Sequence, residues 1–386
     1  MQGSQEGSDS AMKGNSFVPF MKRKGDGSTL NLDFTKMSEL DSRFTFTRST
    51  TATYIDSSGY VASAAINEAR FECDATTLAA KGLLIEGSAT NLLNFSETFA
   101  TTGGTNNNWA DTNLTRTSTN NTSPRNDATA LRITASAANG TIISSTAIGT
   151  SAARTLSVWL RRVTGTGNIQ YTLDNGSTYT TQAITAVWVR YTFATTTAAQ
   201  RVGFRIVTSA DAIEIWGAQL EDGTGASSYI PTVASQVTRA LDSCIMSGTS
   251  FSSWFNATQG TLLTTWSGTS YGGSGRYATI NDGSSSNQIW TGYSESAIYN
   301  GSFQAQFNVA GTANGKVAIA YALNDSAWCL SGGTVSTDTS VTLPTGLNQV
   351  TFGANPAGGA QVNTSLKTIK FFPTRLSNAQ LQAITT

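Results

Sequence analysis

Two segments decide the fold of this chain: Gly82-Leu-Leu-Ile-Glu-Gly-Ser-Ala-Thr-Asn-Leu-Leu-Asn94 and Trp216-Gly-Ala-Gln-Leu-Glu-Asp-Gly-Thr-Gly-Ala-Ser-Ser-Tyr-Ile-Pro-Thr232. Each contains an apolar run next to Gly, Ser, Thr or Asn, the residues that favour turns. The stretch between them is rich in Thr, Ser, Asn and Gly. We therefore predict that the two segments are the first and last strands of one β-sandwich.

Short strands are predicted along nearly the whole chain. Apolar and polar residues alternate in 30–34, 44–48, 130–134 and 169–173, and apolar strands follow at 187–193, 202–207, 261–266, 316–322 and 368–372. One helix is predicted over 376–384, where Ser377 and Gln380 have capping-box spacing. Many short strands with few helical segments predict an all-β protein with two tandem jelly-roll sandwiches after an extended N-terminal arm.

The changes in pattern divide the chain into four parts. They are an N-terminal docking arm (1–29), a β lead-in (30–82), a first jelly-roll sandwich (83–246) and a second, lectin-like sandwich (247–386).

The predicted arm is polar and Gly/Ser-rich, so it cannot build a core of its own. It contains one apolar island, and the residues predicted to insert into a neighbouring protein are Phe17, Val18, Phe20 and Met21. The alternative is a tail that takes up no fixed structure.

The composition is neutral and poor in charge. Lys and Arg number 24, Asp and Glu number 24, and charged residues make up 12% of the chain. Nucleic-acid binders usually carry a basic excess, so no nucleic-acid partner is predicted. No apolar run approaches the ~20 residues of a membrane helix, and the first ten residues do not resemble a signal peptide. We predict no membrane insertion.

The chain contains no histidine. This removes the commonest general base and the commonest zinc ligand, although carboxylate chemistry such as glycoside hydrolysis stays open. The three cysteines Cys73, Cys244 and Cys329 are far apart and form no CxxC pair. They are interpreted as buried free thiols, with one disulfide as the alternative. We predict no enzyme activity, no cofactor and no metal.

Aromatic rings beside polar loops are candidates for stacking on sugar rings. The glycan-contact candidates are Trp109, Trp254, Trp266, Tyr271 and Trp290, with packing in the core as the alternative. Trp159, Trp188 and Trp216 lie within apolar strands and are predicted to be core residues.

Three carboxylates, Glu86, Glu221 and Asp222, are the candidates for a glycosidase pair. Because they belong to a repeated sequence framework, we favour a structural role at strand ends or in salt links. The segment Asn281-Asp-Gly-Ser-Ser-Ser-Asn287 offers oxygens to calcium, but with a single carboxylate it is interpreted as a hairpin turn.

Four pieces of the chain together resemble a module of phage tail fibres, tail-associated proteins and head appendages. They are Phe46-Thr-Arg-Ser-Thr-Thr-Ala-Thr-Tyr-Ile-Asp-Ser-Ser-Gly59, Gly82 to Leu92, Gly217 to Thr232, and Thr238-Arg-Ala-Leu-Asp242. The resemblance covers residues 44–243 and implies a jelly roll like that of carbohydrate-binding modules. The ending at 370–381 resembles concanavalin A/laminin-G sandwiches more weakly. Neither resemblance supplies a catalytic residue.

The resemblance implies a non-enzymatic structural protein of a tailed-bacteriophage virion. The leading expectation is a homotrimeric tail fibre or surface appendage, which docks to other virion proteins by its arm and binds host-surface polysaccharide. Such a protein is assembled in the host cytoplasm and exposed on the particle surface. The alternatives are a capsid decoration protein or head fibre that stabilises the shell and, more distantly, a polysaccharide depolymerase.

Overall fold

The computed structural model describes residues 26–99, 109–118, 122–145, 148, 153–165, 167–195, 201–268, 274–308 and 311–386. The predicted arm residues Phe17, Val18, Phe20 and Met21 lie outside this range, as does Tyr271. The described residues form antiparallel strands with two short helices and one 3-10 turn, so the all-β prediction is confirmed. Within this range no helix is long and apolar enough to cross a membrane.

The strands are numbered in chain order. The first seven are β1 (Leu30–Asp33), β2 (Thr45–Thr47), β3 (Ala52–Ile55), β4 (Val61–Ala64), β5 (Arg70–Cys73), β6 (Ala80–Glu86) and β7 (Ala89–Asn91). The next eleven are β8 (Trp109–Thr112), β9 (Leu114–Ser118), β10 (Leu131–Ala135), β11 (Gly140–Ser144), β12 (Arg154–Thr164), β13 (Ile169–Thr172), β14 (Thr180–Gln182), β15 (Val189–Thr195), β16 (Gly203–Ile206), β17 (Ala212–Asp222) and β18 (Val237–Arg239).

The C-terminal part contains eleven more strands. They are β19 (Ser243–Ser247), β20 (Gln259–Ser267), β21 (Arg276–Asn281), β22 (Asn287–Gly292), β23 (Glu295–Asn300), β24 (Phe303–Asn308), β25 (Asn314–Ala322), β26 (Asp325–Leu330), β27 (Ser336–Asp338), β28 (Gln349–Phe352) and β29 (Asn363–Phe372). The helices are α1 (Thr249–Ser252) and α2 (Asn378–Thr385), and the 3-10 turn is Phe34–Lys36.

The larger sandwich, called here the main sandwich, takes strands from both ends of the described chain. One sheet has the order β27-β26-β25-β20-β29-β6-β5, with β1 also paired to β29, and the facing sheet has the order β2-β19-β28-β21-β22-β23-β24. Leu32 of β1 and Leu83 and Ile85 of β6 are fully buried in the same core as Leu262 and Phe371. The N-terminal strands are therefore part of the C-terminal sandwich.

The jelly roll, called here the inserted sandwich, lies between β6 and β19 of the main sandwich. Its two five-stranded sheets have the orders β15-β12-β17-β10-β9 and β14-β13-β16-β11-β8, and they enclose a separate apolar core. The chain enters along β7 and leaves along β18, and these two strands pair with each other. The inserted sandwich is thus joined to the main sandwich by two adjacent chain crossings.

The segment Gly82–Asn94 is therefore not the opening strand of the jelly roll. Leu83 and Leu84 of β6 stand opposite Leu366 and Ser365 of β29, which places this strand in the main sandwich. Gly82 has φ +105°, and a Cβ there would lie 2.1 Å from the carbonyl oxygen of Leu366, so only glycine permits this close approach. The hydrogen-bonded sheets cross the boundaries predicted at residues 82 and 246, and the division into independently folding units stays a prediction.

Local predictions were more accurate. The hairpin around Asp56-Ser-Ser-Gly59 is present as the pair β3–β4. The capping box is also confirmed, because Gln380 N–H donates to Ser377 Oγ at 3.3 Å and Ser377 N–H donates to Gln380 Oε1 at 2.9 Å. Helix α2 then packs on the outer face of the sheet containing β25 and β26.

Candidate functional site

The motif residues converge on a buried cluster of charges between the two sandwiches. This junction cluster consists of Arg48, Arg70, Glu86, Arg239 and Asp242. Each side chain is at most 3% exposed. They lie at or next to the ends of β2, β5, β6 and the crossing strand β18, and directly before β19. The cluster therefore links the main sandwich to the place where the chain enters the inserted sandwich along β7 and leaves it along β18.

Arg70 and Asp242 lie at the centre of the junction cluster. The Arg70 guanidinium donates to Glu86 Oε2 at 2.7 Å and to Asp242 Oδ2 at 2.5 Å. Arg48 Nη1 donates to the other Asp242 oxygen at 3.1 Å, and the Glu86 N–H donates to Asp242 Oδ2 at 2.9 Å. Ser228, in the loop after β17, donates its N–H and its hydroxyl to the two oxygens of Glu86. Every carboxylate oxygen of the cluster is thus occupied.

The electrostatics favour the charged form of Glu86. Burial on its own raises the pKa of this carboxyl, but the guanidinium groups of Arg239 and Arg70 and the hydrogen bonds from Ser228 outweigh it and lower the pKa to about 2. The pKa of Arg48 is lowered, which disfavours its charged form. Burial and the positive charge of the nearby Arg70 lower this pKa by more than the attraction of Asp242 raises it. Three cations share two anions, so removal of either anion leaves a large unpaired buried charge.

A second interface, which is largely apolar, joins the inserted sandwich to the lead-in. Val61 of β4 packs in a cluster with Trp159, Trp216 and Tyr229. The Val61 N–H donates to the carbonyl of Pro124, and the Thr53 hydroxyl donates to the carbonyl of Tyr229. Trp159 and Trp216 are buried as predicted, whereas Trp188, also predicted in the core, is only half-buried at the edge of this cluster.

A polar cleft lies beside the junction cluster, where β7, β17 and β29 approach one another. This junction cleft has a volume of about 370 Å³. Its polar lining residues include Ser88, Thr90, Glu221, Asp222, Thr224 and Asn363. Small-ligand sites typically occupy about 300–1,000 Å³. The cleft therefore has the size of a small-ligand site and is lined by hydrogen-bonding groups.

The two carboxylates in the cleft have different environments. Glu221 is buried and accepts hydrogen bonds from the N–H and hydroxyl of Ser227 and from Gln219, while burial raises its pKa. Asp222 is the next residue of the strand, so its side chain leaves on the opposite face. It is 63% exposed and is bound on one oxygen by Arg154. Asp222 is thus the carboxylate that a ligand can reach.

The structural interpretation of Glu86 and Glu221 is confirmed. Both carboxylates are buried and their oxygens accept hydrogen bonds from neighbouring residues. Glu86 is not among the residues that line the junction cleft, and Glu221 lines it with both oxygens held by Ser227 and Gln219.

The four described glycan-contact candidates are all in the interior, which contradicts the predicted stacking on sugars. Trp109, Trp254, Trp266 and Trp290 are between 1% and 5% exposed. Trp266 stacks on Tyr277 with 4.3 Å between ring centroids, and Trp290 lies under the guanidinium of Arg276 at 3.7 Å. The other two pack against phenylalanine rings. A ring covered on its faces by protein has no surface left for a ligand.

Two further interpretations, of the 281–287 turn and of the cysteines, agree with the structure. Asn281–Asn287 joins β21 to β22 as a hairpin, and the Asp282 carboxylate accepts from Ser284 and Asn287. Cys73, Cys244 and Cys329 are free and buried.

Comparison with known proteins gives likenesses of fold only. No protein-family model matches the chain, and no curated protein matches it in sequence. Among solved structures, the CBM40 module of the Ruminococcus gnavus IT-sialidase bound to α2,3-sialyllactose is 15% identical, with a TM-score of 0.29 over 34% of this chain and 83% of that chain.

Two further structures are similar at the same level. Domain 4 of AbnA, a GH43 extracellular arabinanase from Geobacillus stearothermophilus in complex with arabinotriose, is 8% identical, with a TM-score of 0.28 over 42% of this chain and 82% of that chain. The CBM22-1–CBM22-2 tandem of Paenibacillus barcinonensis Xyn10C is 8% identical, with a TM-score of 0.26 over 74% of this chain and 98% of that chain. These neighbours are carbohydrate-binding modules or a sugar-bound domain, and at such TM-scores they carry no argument about ligands of this chain.

The junction cluster, with its partners Arg70 and Ser228, was not predicted from the sequence. A signal was present, because a chain with 12% charged residues places Arg48, Glu86, Arg239 and Asp242 in three of the four quoted motifs. Charged side chains are rarely fully buried unless they are paired, so opposite charges in these motifs indicate a buried ion network.

Proposed function

We propose that the chain is a non-catalytic structural protein of a bacteriophage particle that is exposed on the virion and binds host-surface glycan. The observation that carries the proposal is the junction cluster, because the residues that resemble the phage module are the ones that join the two sandwiches. A buried network of ion pairs and hydrogen bonds favours one arrangement of the parts it connects. This suits a rigid rod or appendage that must hold a binding surface away from the particle.

The glycan-binding part of the proposal is supported by the junction cleft. Asp222, Thr224, Asn363 and the glycine-rich backbone around Gly223 offer both donors and acceptors, which is what sugar hydroxyls require. A weak site becomes effective when several copies bind one surface, so a homotrimeric fibre suits this chemistry. The chain would reach the particle surface by assembly in the host cytoplasm.

A tail fibre or similar appendage is the leading form of the proposal, and a capsid decoration protein or head fibre is the second. Gold-labelled antibody against the chain, imaged on phage particles that encode it, tests both. Label at the tail or at projecting fibres, together with block of adsorption by the free protein, is expected. Label spread over the capsid without any effect on adsorption would favour the decoration protein. Absence of label from particles would contradict the virion assignment.

The non-catalytic assignment rests on two observations. The chain contains no histidine, and Glu86 and Glu221 are buried in internal hydrogen bonds. Host polysaccharide incubated with the protein is expected to keep its chain length by size-exclusion chromatography. Shortening of the polysaccharide would establish the depolymerase alternative.

Substitution of the junction cleft should weaken glycan binding. Asp222→Asn removes an accessible charged acceptor, and we expect roughly tenfold weaker binding of host polysaccharide fragments; Thr224→Val should cost roughly two- to tenfold. Thr337→Val, on the exposed edge strand β27, is the matched control. Titration calorimetry measures the affinities, and equal affinities for all three variants would exclude the cleft as the site.

A further inference from the structure

One sheet of the inserted sandwich presents a row of polar side chains on the face away from its core. The row contains one residue from each of the five strands, and each is paired directly with the next. In strand order they are Thr112, Thr141, Arg205, Gln170 and Thr181. Directly opposite residues share a face, and strands are ~4.8 Å apart, so the row extends over about 19 Å. Phe204 and Ile206, the neighbours of Arg205 in β16, are buried in the core. Arg205 therefore points outward by the alternation of the strand.

The guanidinium of Arg205 is held in one orientation by two neighbours. It lies 3.8 Å from the ring centroid of Tyr179, and its Nε donates to Gln170 Oε1 at 2.7 Å. Gln170 is in turn oriented by Thr181, to whose hydroxyl its amide donates at 3.3 Å. These contacts leave both terminal nitrogens of Arg205 without a hydrogen-bond partner among the residues that the structure describes.

Arg205 also has no counter-ion within the described part of the chain. On the opposite sheet, Arg132 and Arg161 share Glu214, whereas no carboxylate of the described residues forms an ion pair with Arg205. A guanidinium presents its N–H groups as a planar fork that matches a carboxylate. Because Tyr179 and Gln170 already fix the fork, little side-chain entropy remains to be lost on binding.

We infer that this face binds an acidic sugar, a pyranose that carries a carboxylate. The carboxylate accepts from the two terminal nitrogens of Arg205, and the sugar hydroxyls bond to the hydroxyls of Thr141 and Thr181. The flanking row of hydroxyl and amide groups favours a sugar over a bare anion. The inference deepens the proposed glycan-binding role and rests on it, and it adds a site separate from the junction cleft.

The test uses the full chain with trigalacturonate and a hyaluronan tetrasaccharide as probes, and with the methyl ester of trigalacturonate as the uncharged control. Calorimetry should show binding of at least one acidic probe that weakens with added salt. Arg205→Gln should weaken it roughly ten- to hundredfold, and Arg205→Lys should also weaken it, because lysine keeps the charge but lacks the fork. Arg132→Gln, which makes the same charge change on the opposite sheet, should stay within about twofold of wild type.

The outcomes separate this inference from the proposed function. Equal affinity of Arg205→Gln and Arg132→Gln overturns the inference, as does equal binding of trigalacturonate and its methyl ester, or no binding of either acidic probe. If neutral host glycan still binds and responds to Asp222→Asn, the proposed function stands without it. If neither acidic nor neutral glycan binds the wild-type chain, both fail. Circular dichroism of each variant confirms that a loss of binding is not a loss of fold.

Discussion

Replacement of Asp242 by alanine is expected to lower the free energy of unfolding by about 3–5 kcal/mol. Asp242 is fully buried and accepts hydrogen bonds from Arg48, Arg70 and the N–H of Glu86. Its removal leaves Arg48 without a carboxylate partner and Arg70 with only Glu86. Water cannot solvate these groups at the junction, so the cost is the desolvation of unpaired charge in addition to the lost bonds.

Urea denaturation of the wild type and the variant measures this difference. The matched control is Asp41→Asn, which breaks an ion pair with Arg43 whose side chains are 43% and 46% exposed. Exposed ion pairs contribute at most about 1 kcal/mol, so the free energy of unfolding of this variant should be close to that of the wild type. Equal effects of the two substitutions would show that the junction cluster does not stabilise the fold.

The stability of the protein should fall steeply in acid because of Glu86. Its pKa is about 2 in the folded state and 4.5 when unperturbed, so the unfolded state binds the proton more tightly. The stabilisation is therefore fully present above about pH 4.5 and is lost as the pH falls from 4.5 to 2. A depression of this size corresponds to about 3 kcal/mol for this fully buried group.

Glu86→Gln removes this titration and tests its source. The variant should be less stable than the wild type at pH 7, and its stability should change less between pH 4.5 and 2. Asp26→Asn is the control, because the pKa of Asp26 is also lowered to about 2, chiefly by Lys370, but the carboxylate is 43% exposed and screened. In physiological salt its removal should leave the acid curve nearly unchanged. If the stability of Glu86→Gln falls between pH 4.5 and 2 as steeply as that of the wild type, the acid sensitivity arises from other groups.

Local features of the fold could be predicted from the sequence because their causes are local. Alternation of apolar residues indicates strands, the turn at Asp56–Gly59 closes a hairpin, and Ser377 with Gln380 caps a helix. Burial of Trp159 and Trp216 followed from their apolar neighbours.

The partner of β6 could not be predicted in the same way. Leu83, Leu84, Ile85 and Glu86 are all buried, so the segment carries no alternation that distinguishes one sheet from another. Its partner β29 lies at the far end of the chain, and sequence pattern gives no information on pairing over such a distance.

The candidate site was harder to predict than the fold. Trp266 and Trp290 sit in strands beside polar loops, and sequence cannot tell that Tyr277 and Arg276 cover them. Arg205 showed no signal in the sequence, because its significance lies in the missing counter-ion and in Tyr179, which the turn after β13 brings alongside.

In this fold β1 and β6 complete the C-terminal sandwich, and the jelly roll is inserted between β6 and β19. The most direct test is the ¹H–¹⁵N NMR spectrum of residues 243–386, which keep β19, compared with that of residues 26–386. Without Leu32, Leu83 and Ile85 the core of the main sandwich is open, so the fragment should give a collapsed, poorly dispersed spectrum. A dispersed spectrum that overlays on that of the longer chain would show that residues 243–386 fold without the N-terminal strands, and would contradict this topology.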